Sequence, residues 1–131
     1  MPKPVAFVHS ALAASDNLRT LYSEDTYRVS VHRLLETAQS IYNGCPLFHL
    51  AGFVAGLFGV FSGTVQVIGP PNQPSSAQMF KNILHLSHID GALLPPLVVD
   101  QIAQEPALVE EVSKLKFITF GGGTSCFIAS D

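Results

Sequence analysis

What this chain has least of is charge. Of its 131 residues only 13% are Asp, Glu, Lys or Arg, against roughly 25% in an ordinary globular domain. The seven Lys and Arg are scattered along the sequence and outnumbered by ten acidic residues, giving a formal net charge of -3. No basic stripe is present to meet a phosphate backbone, so nucleic acid is not expected as a partner. Cysteine is scarce too. Cys45 and Cys126 stand far apart and belong to no CxxC or Cys/His spacing, which argues against a zinc site or a disulfide framework and for two unpaired thiols in a reducing compartment. The opening "MPKPVAFVHSALAASD" lacks the charged start and long apolar core of a signal peptide, and a cytoplasmic protein is expected.

Long apolar runs are also missing. The longest, Leu50 to Phe61, holds about 12 apolar or glycine residues, well short of the roughly 20 that span a bilayer. Gly52 and Gly56 form a GxxxG pattern inside it, but no Lys or Arg flanks the run to set an orientation in a membrane. It reads as a helix apolar on all sides and buried in protein, with no membrane partner. GxGxxG and Walker A loops are absent, which removes the usual phosphate-binding signatures. His9 and Ser10 are adjacent, yet no GxSxG surrounds them, so nothing supports a serine hydrolase.

What remains is 47% hydrophobic, and its apolar residues fall into short alternating segments. Val5 to Val8 reads as a strand, with Ser10 placed to cap a helix from about Ala11 to Tyr22. The charged stretch Ser23 to Thr37 reads as a loop with a helical turn or two. Ser40 to Phe48 looks like a strand with a glycine break, stopped at Pro46, and leads into the Leu50 to Phe61 helix. "TVQVI" is a β-branched strand, "GPPNQP" a turn, and Ser75 and Ser76 open a helix from about Ala77 to His88 with Met79, Ile83 and Leu84 along one face. "IDGALLPP" is a strand stopped by Pro95 and Pro96. Helices from about Leu97 to Ala103 and from the break at Pro106 to Leu115 follow, and "KFITF" is a last strand running into "GGG". Alternating short strands and helices of this kind specify an α/β fold of parallel βαβ units in one domain over residues 1–131.

In an open parallel sheet, ligands bind outside the carboxyl ends of the strands. His49 falls there, between a strand and a helix, where it faces such a crevice or is satisfied by backbone at the helix start. Gly121, Gly122 and Gly123 follow the last strand and would let a ligand approach backbone closely, or serve as a plain turn. His85 and His88, three apart, lack a third ligand nearby and read as solvent-facing, as do Glu110 and Glu111.

Several segments together resemble the adenylate-forming superfamily, which includes acyl-CoA synthetases and the adenylation domains of nonribosomal peptide synthetases. "PLFHLAGF" is similar to that family's P-apolar-FH-x-x-G segment. "HIDGALLPP" resembles its H-x-(V/I)-(T/D)…P strand, and "LKFITFGGG" its strand and glycine loop. "PKPVAFVHSAL" resembles the tail of its phosphate loop and the helix that follows. The style is nearest to the adenylation domains of fungal reductases. The resemblance implies AMP-binding ligase chemistry: a carboxylic acid attacks the α-phosphate of ATP, held with Mg2+, and the acyl-adenylate passes its acyl group to phosphopantetheine or CoA.

Carried over by position, the resemblance puts His49 beside the substrate carboxylate. It makes Gly121, Gly122 and Gly123 the floor between acyl pocket and nucleotide, and leaves Lys3 as a remnant of the phosphate loop. The family's GGA-P-L is replaced here by "GGGTSC", and its upstream phosphate loop, its YGxTE motif and its catalytic lysine are not among these residues. The expectation is therefore a fragment of such an enzyme, truncated at both ends, inactive alone and exposing apolar surface where missing parts would dock. The alternative is a non-catalytic module that binds nucleotide or carboxylate, or another protein.

Overall fold

In the computed structural model, which describes residues 9, 10, 13 and 31–121, short apolar strands alternate with helices as the sequence pattern requires. Helix α1 (Val31–Glu36) precedes strand β1 (Ser40–Asn43). Then come α2 (Leu50–Ser62), β2 (Val65–Ile68), α3 (Ala77–Leu86), β3 (Gly91–Leu94), α4 (Pro96–Ala103), α5 (Pro106–Val112) and β4 (Phe117–Phe120). The described strands form one all-parallel sheet in the order β2-β1-β3-β4. The fold is α/β.

The chain moves outward from β1 to β2, then returns past β1 to β3 and continues to β4. With crossovers of one hand, that reversal sends the connecting helices to opposite faces of the sheet. Two cores result. Tyr42, Phe80, Ala92, Leu94, Val98 and Leu108 pack between the sheet and α3, α4 and α5. Leu35, Ala38 and Ile41 pack on the other face with Phe58 and Phe117. Adjacent Ile41 and Tyr42 serve different cores, as the alternation of a strand demands. The central strands β1 and β3 are nearly all buried, whereas β2 and β4, at the described edges, are half exposed.

At the opposite edge from the strand ends, Asp90 ties three segments together. Its carboxylate accepts hydrogen bonds from the Gln39 and Ser40 backbone N–H groups at 2.7 and 3.2 Å and pairs with Lys116 Nζ at 3.0 Å. The Lys116 hydrogen bond, followed by the two backbone donors, lowers its pKa from 3.8 to about 2.

Several boundaries differ from the sequence reading, each for a local reason. β1 ends at Asn43 rather than near Pro46, because the Asn43 side chain turns the chain: its Oδ1 accepts from Cys45 N–H at 3.2 Å and its Nδ2 donates to Gly52 O at 3.0 Å. α3 stops at Leu86, with Ser87 as its C-cap, so His88 lies beyond the helix. Its buried face is Ala77, Phe80 and Ile83, with Met79 and Leu84 at the flanks. α5 ends at Val112, three residues before the expected Leu115, and passes directly into a turn in which Leu115 N–H donates to Val112 O.

The largest departure is α2. Expected to be buried on all sides, it packs through its small residues Gly52, Ala55 and Gly59 and leaves Phe53, Val60 and Phe61 exposed. The N-terminal strand and most of the first expected helix lie outside the described residues; His9 and Ser10 are themselves helical, so Ser10 sits inside a helix and does not cap it.

Candidate functional site

All four described strands run the same way, so their carboxyl ends share one edge, and the reversal of direction falls between β1 and β3. Such a reversal opens a crevice between loops that leave on opposite faces. Gly44 stands at its lip, donating its N–H to Leu93 O at 2.8 Å.

His49 follows as the N-cap of α2, with extended backbone and its ring Nδ1 accepting from Ala51 N–H at 3.3 Å. A neutral imidazole that accepts at Nδ1 carries its proton on Nε2, so the exposed ring presents a donor outward. The local reason for its position is Gly52. A Cβ there would lie 2.3 Å from Pro46 O and 2.6 Å from Cys45 O, so only glycine lets the first turn of α2 rest against the loop that carries His49. Gly56 makes no such approach: a Cβ would meet Leu47 Cδ2 at 3.7 Å, an ordinary contact. The GxxxG spacing is thus half explained by packing inside the chain.

Gly121 follows β4 on the same edge, with β3 between it and β1, about 10 Å away at ordinary strand spacing. A Cβ at Gly121 would meet open space, so neighbours within the described residues do not require a glycine there. Gly122, Gly123 and Lys3 lie outside the described residues. His49 and Gly121 therefore both follow strands that end on one edge of the sheet.

A feature the sequence reading passed over lies beside the loop that carries His49. The loop after β1 and the "GPPNQP" loop after β2 enclose a cleft of about 750 Å³. Its floor carries Tyr42, whose hydroxyl is 3.4 Å from Ser75 Oγ and whose ring stacks on Phe80 at 5.4 Å. Burial raises the Tyr42 pKa above its usual 10.0, an effect that the Ser75 hydrogen bond opposes and nearby Cys45 adds to. Cys45, also on the wall, is a buried free thiol whose pKa burial raises above 9.0, so it stays protonated and unreactive at neutral pH. Reading "GPPNQP" as a turn was right for Asn72, whose φ is 62°. The available signal was its place after a strand of a parallel sheet, where loops gather over ligands.

His85, His88 and Glu110 are exposed and Glu111 is partly so, in line with the solvent-facing expectation. His85 contacts Glu111 Oε2 at 3.0 Å, and exposed His88 lies 3.8 Å from Asp90. Each histidine thus has one carboxylate beside it. Among the described residues no three His, Cys, Asp or Glu side chains gather as metal ligands, and no charged side chain lines the cleft. This donor set does not fit a magnesium–triphosphate group. No helix of the described residues is long and apolar enough to cross a membrane.

A parallel α/β sheet with a histidine and glycine at its carboxyl edge is the class the geometry defines. Particular relatives narrow it. Over 132 residues, covering 99% of this chain, it is 26% identical to a carboxylic acid reductase of Neurospora crassa. Over 125 residues, covering 94% of the chain, it is 25% identical to an isocyanide synthase-NRPS hybrid of Aspergillus fumigatus. It spans 12% and 8% of those proteins respectively. No protein-family model and no solved structure matches it.

Proposed function

We propose that these residues are the acyl-binding part of an ATP-dependent, carboxylate-activating enzyme that forms acyl-adenylates, and that they do not catalyse the reaction alone. The supporting observation is the relation along nearly the whole chain to two enzymes of different name, one a carboxylic acid reductase and the other part NRPS. A carboxylate is a poor electrophile, so reducing it and building it into a peptide both begin by activating it. That shared first step is what a shared segment would serve, and the quoted "PLFHLAGF" and "LKFITFGGG" resemblances point the same way.

In this reading His49 directs its Nε2–H at the substrate carboxylate, held at that angle by the Ala51 bond and by Gly52 beneath it. Gly121 to Gly123 leave room for the acyl-adenylate where side chains would block it. ATP would supply the leaving group and Mg2+ the charge compensation, while phosphopantetheine or CoA would take the acyl group. The groups that hold them are not in the described donor set. Catalysis of this type rests on positioning and electrostatic stabilisation, so the 131-residue chain by itself should give no carboxylate-dependent ATP–pyrophosphate exchange. Exchange by the purified chain would overturn the fragment reading.

A second reading, a non-catalytic module that docks on another protein, is favoured by the apolar side chains left in solvent: Phe48 is 94% exposed, Leu86 83% and Val60 75%. Apolar surface of this kind marks interfaces or aggregation. Sedimentation of the purified chain discriminates: a monomer at all concentrations counts against docking through these residues.

A further inference from the structure

The cleft between the loops after β1 and β2 has the size and lining of a small-molecule site. Its volume of about 750 Å³ lies within the 300–1,000 Å³ typical of such sites. Its walls are largely apolar, with Leu47, Ile68, Pro70 and Met79 among them, and among the described residues its polar groups are all uncharged. Neither His49 nor Gly121 lines it.

The floor points to what enters. Tyr42 is 1% exposed, and its hydroxyl has Ser75 Oγ beside it at 3.4 Å, far longer than the 2.7–2.8 Å usual between hydroxyls. A buried phenol with only a long contact retains most of its hydrogen-bonding capacity. An oxygen of an entering molecule, set between the two hydroxyls, would satisfy both at ordinary length. Two glycines keep this place open. At Gly69 a Cβ would stand 3.4 Å from the Tyr42 hydroxyl and 3.1 Å from Met79 Sδ, and at Gly44 one would stand 3.1 Å from Ser75 Oγ. Charge then decides the class. An anion drawn into the cleft would lose water and meet no cation among the described residues, a cost that a neutral molecule avoids.

We infer that this cleft binds an uncharged, largely apolar organic molecule through a carbonyl or hydroxyl oxygen received by Tyr42 and Ser75. The inference is independent of carboxylate activation, since it concerns different residues and a ligand without the carboxylate that activation requires.

The test uses two probes of the same shape, 2-naphthamide (neutral) and 2-naphthoate (anionic), titrated into the 131-residue chain and followed by ligand-detected NMR. The amide is expected to bind at least tenfold more tightly than the acid. Gly69→Leu, which places a side chain in the cleft, should abolish amide binding. Ser75→Ala, which removes one hydroxyl and adds no bulk, should weaken it about fivefold to tenfold. Equal binding of the two probes, binding of neither, or amide binding unchanged in a folded Ser75→Ala protein would each overturn the inference. Circular dichroism establishes folding of each variant, and Ser75→Ala decides the matter if Gly69→Leu does not fold.

Discussion

Gly52→Ala should damage the protein where Gly56→Ala improves it, although both replace a glycine on the same helix with the best helix former. In a helix interior, Gly to Ala gains up to about 1 kcal/mol from backbone entropy. At Gly56 nothing opposes that gain, because the new Cβ meets Leu47 Cδ2 at 3.7 Å. At Gly52 the new atom would lie 2.3 Å from Pro46 O, a backbone atom with no rotamer to change. Restoring ordinary contact needs a displacement of about 1 Å, and overpacking of this sort costs about 1–3 kcal/mol. The same displacement stretches the 3.0 Å bond from Asn43 Nδ2 to Gly52 O beyond hydrogen-bonding range. Asn43 is 2% exposed, so its orphaned amide adds about 1–3 kcal/mol. With the helix gain set against these, Gly52→Ala should lose about 1–5 kcal/mol and Gly56→Ala should gain about 0.5–1 kcal/mol. Urea unfolding followed by circular dichroism measures both. A Gly52→Ala protein as stable as the parent would refute the account of how α2 and the His49 loop are seated.

Other consequences follow from single residues. Because the Asp90 pKa is lowered from 3.8 to about 2, its contribution to stability is present above pH 3.8 and is lost as the pH falls toward 2. Asp90→Asn should therefore flatten that part of the stability–pH curve, as measured by urea midpoints across the range. Phe80, fully buried and stacked on Tyr42, should cost about 3–5 kcal/mol when cut to Ala, with a matching fall in thermal midpoint. Cys45, buried and with its pKa raised, should react with iodoacetamide at neutral pH far more slowly than a free cysteine in a Cys126→Ser background, and at the free rate only in urea.

How much of this was legible in the sequence depends on whether a signal was local. Period and turn chemistry gave the order of elements: β-branched "TVQVI" is β2, and Pro96 and Pro106 open α4 and α5, where proline's missing N–H does no harm. The end of β1 was not legible, because it depends on Asn43 reaching Gly52 across the turn. The face of α3 was legible in part: Ile83 is buried and Met79 and Leu84 pack against the same core, while Phe80 was passed over. Phe80, three and four residues before Ile83 and Leu84, belongs to that face by helical period, and what the sequence does not reveal is its stacking partner, Tyr42 of β1. Exposure of α2 was hidden as well, since apolar composition says what a helix prefers and not whether a neighbour is present to cover it. At the site, His49 was placed correctly at a helix start on the carboxyl edge. The cleft needed the pairing of β1 with β2, which brings two distant loops together.

The central claim, that this segment belongs to carboxylate activation, is tested most directly on the native polypeptide. An antibody to the Gln104 to Lys116 segment would capture it from expressing cells for ATP–pyrophosphate exchange with a panel of carboxylic acids. The account predicts a polypeptide far larger than 14.0 kDa whose exchange requires a carboxylic acid and is lost on His49→Ala. A captured polypeptide of 14.0 kDa, or a larger one with no carboxylate-dependent exchange, would contradict it.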